Sequence, residues 1–229
     1  CMLNMAAGGG CVDGLEAKKQ QAKTQGNTKT DGGNETPSVS VKIEFGFDGG
    51  LKSNDVDLQN FETKSQTINV DGEGFNYNTL GPKGFDTQVK RSLTSIAKTD
   101  AGKKMLKSIT KGGQSLLIQF GPNNGAGIAD GYDAGIVFNP KKRNSIHTNK
   151  GTVNDSPNFA LAHEVFHVWG PMTRGYFGGN DRIKIGDPVR GLGAMETYAV
   201  RYTNRIRLQS GANYQRTHYL EKGTLYAIP

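Results

Sequence analysis

The stretch Leu161-Ala162-His163-Glu164-Val165-Phe166-His167-Val168-Trp169 limits what this chain can fold into more than any other. It contains His-Glu-x-x-His. On a helix, residues four apart leave the same face one turn apart, so His163 and His167 can grip a single metal ion. Residues 159–169 are apolar except for His163, Glu164 and His167. A helix apolar on nearly every side lies inside a domain, where two imidazoles and a carboxylate are costly without a partner. A zinc ion is such a partner, and Glu164 beside it is placed to take a proton from an activated water. The local signals agree: Ser156 as N-cap, Pro157 at the first helical position, and Gly170-Pro171 as the stop. The ordinary alternative is a chance match around a core histidine. The chain has only four histidines, however, and two of them fall in this motif.

The 229 residues suit one domain with a tail, and 32 glycines with 34% hydrophobic residues imply long loops. No apolar run is long enough to span a bilayer. The first residue is not Met, which fits a processed or excised chain whose targeting signal would lie outside it. Residues 1–36 read as a flexible Gly-rich and polar leader or linker, and residues 37–229 as a single domain, strand-rich over 37–80 and helical and catalytic over 81–229. Charge is unevenly placed. Residues 141–229 hold thirteen basic against six acidic side chains and so carry the whole net charge of +7. This favours acidic protein or peptide partners by steering; a merely soluble basic surface is the plain alternative. No nucleic-acid-binding module accompanies the basic residues, so no nucleic-acid partner is expected. Cys1 and Cys11 both sit in the leader, so no disulfide framework is available to the domain, and Cys1 could carry a lipid.

Taken in order, a short helix is possible over residues 15–23. Val39, Val41, Ile43, Phe45 and Phe47 alternate with polar residues as a half-buried strand does. Strands follow at 66–70 and 74–78, with Asp71-Gly72 as their turn. Residues 85–98 form a helix with Val89, Leu93 and Ile96 on one face, and a second helix, 101–110, is capped by Thr99 or Asp100. Residues 115–120 and 134–139 are strands, 121–133 a loop, and 140–155 the lead-in to the motif helix. A Gly-rich loop over 175–187 and a helix over 193–209 come next. Tyr198 and Tyr202, at i, i+4 spacing, belong to the core.

A catalytic zinc takes three protein ligands and leaves a position open. Glu196, 29 residues after His167 on that last helix, is the first candidate for the third ligand, with Asp181, Asp187 and His218 as rivals. The pattern Ala-His-Glu-Val-Phe-His, then Glu196, Thr203-Asn204-x-x-Arg207 and Arg216-x-x-Tyr219, preceded by Thr99-x-x-Gly102-Lys103-x-x-Leu106, resembles the NleD-type effector zinc metallopeptidases. Related domains also end Rhs-type toxins. The likeness covers roughly residues 85–220. It departs where the family shows Glu-Glu and this chain has Met195-Glu196-Thr197, and where Thr203-Asn204 replaces Glu-Asn.

The resemblance implies an α+β, zincin-like metalloprotease domain, with a small mixed β-sheet packed on an active-site helix and a C-terminal helix. It also implies a secreted or injected bacterial effector that cuts a protein of a host or competitor cell. In such a site Glu164 is the base, and Tyr219, His218 or Arg216 supplies the second donor to the oxyanion. Arg216 and Arg207 are candidates for binding substrate, or else for structural ion pairs. Two other classes remain open: a surface lipoprotein or binding module with structural zinc, and a basic toxin acting on nucleic acid.

Overall fold

The computed structural model describes residues 43–44, 60–113, 115–129, 131–172, 189–190, 192–221 and 223–229. The chain divides into Cys1–Pro37 and Ser38–Pro229, and every described residue belongs to the second unit. The expected helix over 15–23, most of the strand beginning at Ser38, the 175–187 loop, Asp181 and Asp187 lie outside the described residues.

The domain begins with two ten-residue strands, β2 (Phe61–Val70) and β3 (Glu73–Pro82), after the short β1 (Ile43–Glu44). β2 and β3 pair antiparallel, with Val70 opposite Glu73, so only Asp71 and Gly72 make the turn. Both residues have positive φ, 54° and 85°, the conformation whose twist matches that of the strands. The hairpin is longer than the alternation of 66–78 predicts, because backbone pairing continues to Phe61 opposite Pro82, through exposed Glu62, Thr63 and Ser65 on one strand and buried Thr79 and Leu80 on the other.

Two helices carry the chain from β3 to the parallel strand β4 (Leu116–Phe120). In α1 (Phe85–Ala97), Val89, Leu93 and Ile96 are buried, as the spacing predicts. In α2 (Asp100–Lys111), Thr99 caps the start by accepting from the Gly102 N–H at 3.0 Å. β5 (Gly125–Ala129) and β6 (Ala134–Phe138) complete a six-stranded mixed sheet in the order β1-β5-β6-β4-β3-β2. β4 is central, and its first four residues are buried, as expected for a strand covered on both faces.

The main core joins Phe75, Leu116, Ile118, Ile136 and Phe138 of the sheet to α1, α2 and two later helices, α3 (Pro157–Met172) and α4 (Ala194–Gln209). A smaller cluster, Leu80, Leu117, Ala129 and Val137, forms apart from it. The architecture is α+β, with a mixed sheet and helices sharing one large core.

Three expectations need correction. The 121–133 loop contains β5, whose Gly-Ala-Gly-Ile-Ala sequence carries no apolar alternation and is held by backbone pairing with β6 and β1. The 140–155 lead-in contains a hairpin of β7 (Ser145–Thr148) and β8 (Gly151–Asn154), too short for its pattern to register in sequence. Finally, α3 runs past Gly170-Pro171 to Met172; a proline in the last turn removes only one backbone bond. The C-terminal tail forms another hairpin, β9 (His218–Glu221) with β10 (Thr224–Ala227).

The α1–α2 corner depends on Gly102. A Cβ there would lie 2.0 Å from the Ile96 carbonyl oxygen and 2.7 Å from Thr99 Oγ1. Backbone cannot yield as a side chain does, so Gly102→Ala is expected to cost about 2 kcal/mol or more in denaturant unfolding. A variant as stable as the parent would show that the corner is not close-packed.

Candidate active site

α3 presents His163 and His167 one turn apart, and α4 supplies the opposing side. The two helices are joined by an aromatic cluster. Phe166 and Trp169 on α3 meet the Tyr202 ring of α4 at centroid distances of 5.3 and 5.1 Å. The Tyr202 hydroxyl donates to the Ala101 carbonyl at 2.9 Å, which fixes α4 on α2 as well. Glu196 lies in the first turn of α4, where a helix N-terminus favours negative charge.

Three donor atoms converge as a result. His163 Nε2 is 3.1 Å from Glu196 Oε2, His167 Nε2 is 3.2 Å from Glu196 Oε1, and the two Nε2 atoms are 3.1 Å apart. Ligands on one tetrahedral zinc at ordinary bond lengths are about 3.3 Å from each other. The spacing and the donor set therefore fit a metal ion. Among the described residues, no other three His, Cys, Asp or Glu side chains converge in this way.

Burial and the shared Glu196 carboxylate set the electrostatics of the group. Burial pushes the His163 imidazole down to about 4, against the pull of Glu196, so it presents a neutral lone pair. At His167 burial also works downward, but the hydrogen bond to Glu196 and the charge of Glu164 outweigh it and raise the pKa. Burial would raise the Glu196 carboxyl, yet both imidazoles hold it well below the usual range. Glu164 ligates none of these groups. Burial pushes its carboxyl up to about 7, a value suited to taking up and releasing a proton near neutrality.

The centre opens into a cleft of about 530 Å³ lined by His163, Glu164, Arg216 and Tyr219, among others. The Tyr219 ring lies nearly parallel to that of His163, 6.0 Å away, and the Arg216 guanidinium lies over the Tyr219 ring, 4.3 Å from its centroid. Burial, followed by the negative charge of Glu196, keeps the Tyr219 hydroxyl protonated far above its ordinary pKa. It is therefore a lasting hydrogen-bond donor.

The tail carrying Tyr219 is anchored by a buried polar network. Asn204 accepts from the Arg216 N–H and donates to the Arg216 carbonyl, each at 2.9 Å. Arg207 donates to Asn204 Oδ1 at 2.8 Å and forms an ion pair with Asp155. Tyr214 donates to the same carboxylate at 3.0 Å. Asp155 also accepts from the Ser156 N–H, and the Ser156 hydroxyl caps the Asn158 N–H of α3 at 3.3 Å.

A family model described as an effector protein, that of the M91 peptidases, matches residues 73–188, half of the chain. The chain belongs to the M91 peptidases. No curated protein and no solved structure matches it. The matched segment of this M91 peptidase includes the sheet from β3 onward and all of α3. Glu196, Arg207, Arg216 and Tyr219 lie beyond it and rest on the geometry above.

Of the residues singled out in sequence, His163, Glu164, His167, Glu196, Arg216 and Tyr219 come together. His218 does not. It lies instead at a separate hollow with Val189, Arg201 and Thr217, its ring 6.0 Å from that of His147. Arg207 borders the same cleft but is only 3% exposed and is paired with Asp155. Sequence reading missed Asp155 and the purpose of Asn204. The available signals were an acid directly before the Ser156-Pro157 helix start and the i, i+3 pair Asn204 and Arg207.

Asp155→Ala strands the Arg207 charge in the interior and is expected to cost about 3–5 kcal/mol in chemical denaturation. A loss under about 1 kcal/mol would mean that Arg207 finds water.

Proposed function

We propose that the protein is a zinc-dependent endopeptidase that acts as a secreted or injected bacterial effector or toxin and hydrolyses peptide bonds of a host or competitor protein. One observation carries this reading. Three metal-competent donors converge beside a cleft that one of them, His163, lines, together with the carboxylate of Glu164. Membership of the M91 effector peptidases supports it. Among the described residues, no helix is long and apolar enough to cross a membrane.

His163, His167 and Glu196 would hold the ion, which when bound polarises a substrate carbonyl and activates water. Glu164 accepts the proton of the attacking water and returns it to the nitrogen of the departing amine. Tyr219 donates its hydroxyl hydrogen to the carbonyl oxygen as negative charge develops there. Arg216 lies on the Tyr219 ring and holds it in place, adding positive charge beside the same oxygen. Asn204, Arg207 and Asp155 fix the backbone from which Arg216 and Tyr219 project.

A structural zinc site, as in a surface lipoprotein or binding module, closes its shell with a fourth protein ligand. Among the described residues three such groups, His163, His167 and Glu196, come together, and a fourth protein ligand in the metal-loaded protein would favour the structural reading.

Two sets of variants test the assignment. Glu164→Gln should retain about one zinc per chain by metal analysis yet lower cleavage of a cut protein about 10²- to 10⁴-fold; full activity in this variant would remove Glu164 as the base. Tyr219→Phe should lower kcat about 10²-fold with little change in KM. In His163→Ala and Glu196→Ala, both metal and activity should fall. Chelation should lower the Tm of the parent but not of these variants.

A further inference from the structure

The cleft described above has one wall that the reaction does not use. It is built from the segments on either side of β5 and β6, and it presents Asn123, Asn124, Lys142 and Arg143. We propose that this wall selects substrates bearing an anionic side chain next to the scissile bond, with Asn124, Lys142 and Arg143 as the selecting residues. The inference rests on the peptidase reading.

Three observations carry it. First, the wall offers donors without acceptors to answer them. Asn124 Oδ1 accepts from the Asn139 N–H at 2.8 Å, which fixes the orientation of the amide. Its Nδ2 is then a donor, buried and without a partner, and such a group is costly unless a ligand completes it. Second, Lys142 is not a freely solvated lysine. Its Nζ donates to Asn123 Oδ1 at 2.6 Å, a neutral partner that holds the ammonium in place and leaves its charge uncompensated. Among the described residues no carboxylate pairs with Lys142 or with the exposed Arg143. Third, the carboxylates lining the cleft are already engaged. Asp155 is paired with Arg207, and Glu164 faces the reacting centre. Four cationic side chains and two carboxylates line the cleft, so a substrate anion meets unanswered positive charge where water is partly excluded.

Carboxylate and phosphate share this chemistry, and the test separates them. A degenerate peptide mixture read by mass spectrometry first yields a cleaved sequence. That sequence is then made with Glu, phosphoserine or Gln at each position next to the cut in turn. The parent is expected to favour at least one anionic peptide over its Gln counterpart about tenfold in kcat/KM, with the preference shrinking as salt rises. The larger of the two gains identifies the source of the anion. Lys142→Glu with Arg143→Glu, a double reversal on a surface segment, should abolish or invert the preference. Equal kcat/KM for anionic and Gln peptides, or a preference that survives the reversal, overturns the inference and leaves the peptidase intact. Failure of the zinc-loaded parent to cut any peptide overturns both.

Discussion

The centre exists only because two helices are held at one particular offset, and a buried ion pair sets that offset. Asp155 lies just before α3, and Arg207 sits in the last turn of α4. From Asp155, His163 and His167 lie about 12 and 18 Å along the helix; from Arg207 back to Glu196 is about 16 Å. The paths match when the helices run in opposite directions from a common tie, so Glu196 falls level with the gap between the imidazoles. A slip of one turn, about 5.4 Å, would separate donors that now stand 3.1–3.2 Å apart.

Ion pairs of this kind are poor sources of net stability, because both charges give up water. The apolar contacts supply the stability: Phe166 and Trp169 against Tyr202, and both helices against the sheet through the shared core. Apolar contact alone would tolerate neighbouring registers. The pair tolerates one, since any other arrangement leaves Arg207 or Asp155 buried and unanswered. Packing and ion pair thus divide the work between stability and register.

Elements whose information is local were legible in sequence. The Asp71-Gly72 turn, the Thr99 cap, the buried face of α1, and the pairing of His163 with His167 each follow from spacing within one element. Elements that take their meaning from distant partners were not. β5 has no pattern of its own and exists through backbone bonds to β6 and β1. Arg207 reads equally as a substrate residue or a structural ion pair, and its partner, Asp155, is 52 positions away. His218 and Tyr219 are equal candidates along the chain, and only the folded tail separates them, with Tyr219 on the cleft and His218 at the hollow beside Thr217. Glu196 lay between, named from its helix but placed only by the tie at the far end of α4.

The position of Tyr219 shows how far this dependence on distant partners extends. Asn204 binds both the N–H and the carbonyl of Arg216, so one side chain does for residue 216 what a neighbouring strand would do. The tail is further stitched to β7 through Thr217 and His147. With residue 216 fixed, Arg216 folds back to donate to the His218 carbonyl at 2.8 Å and lies over the ring of Tyr219. The ring thus lies against the Arg216 guanidinium and 6.0 Å from the imidazole of His163, which limits the freedom of its hydroxyl. Such preorganisation is what the proposed role of Tyr219, as donor to a developing oxyanion, requires. It originates in Asn204, a residue on the same helix as Glu196 and tied through Arg207 to the start of the helix that bears the histidines.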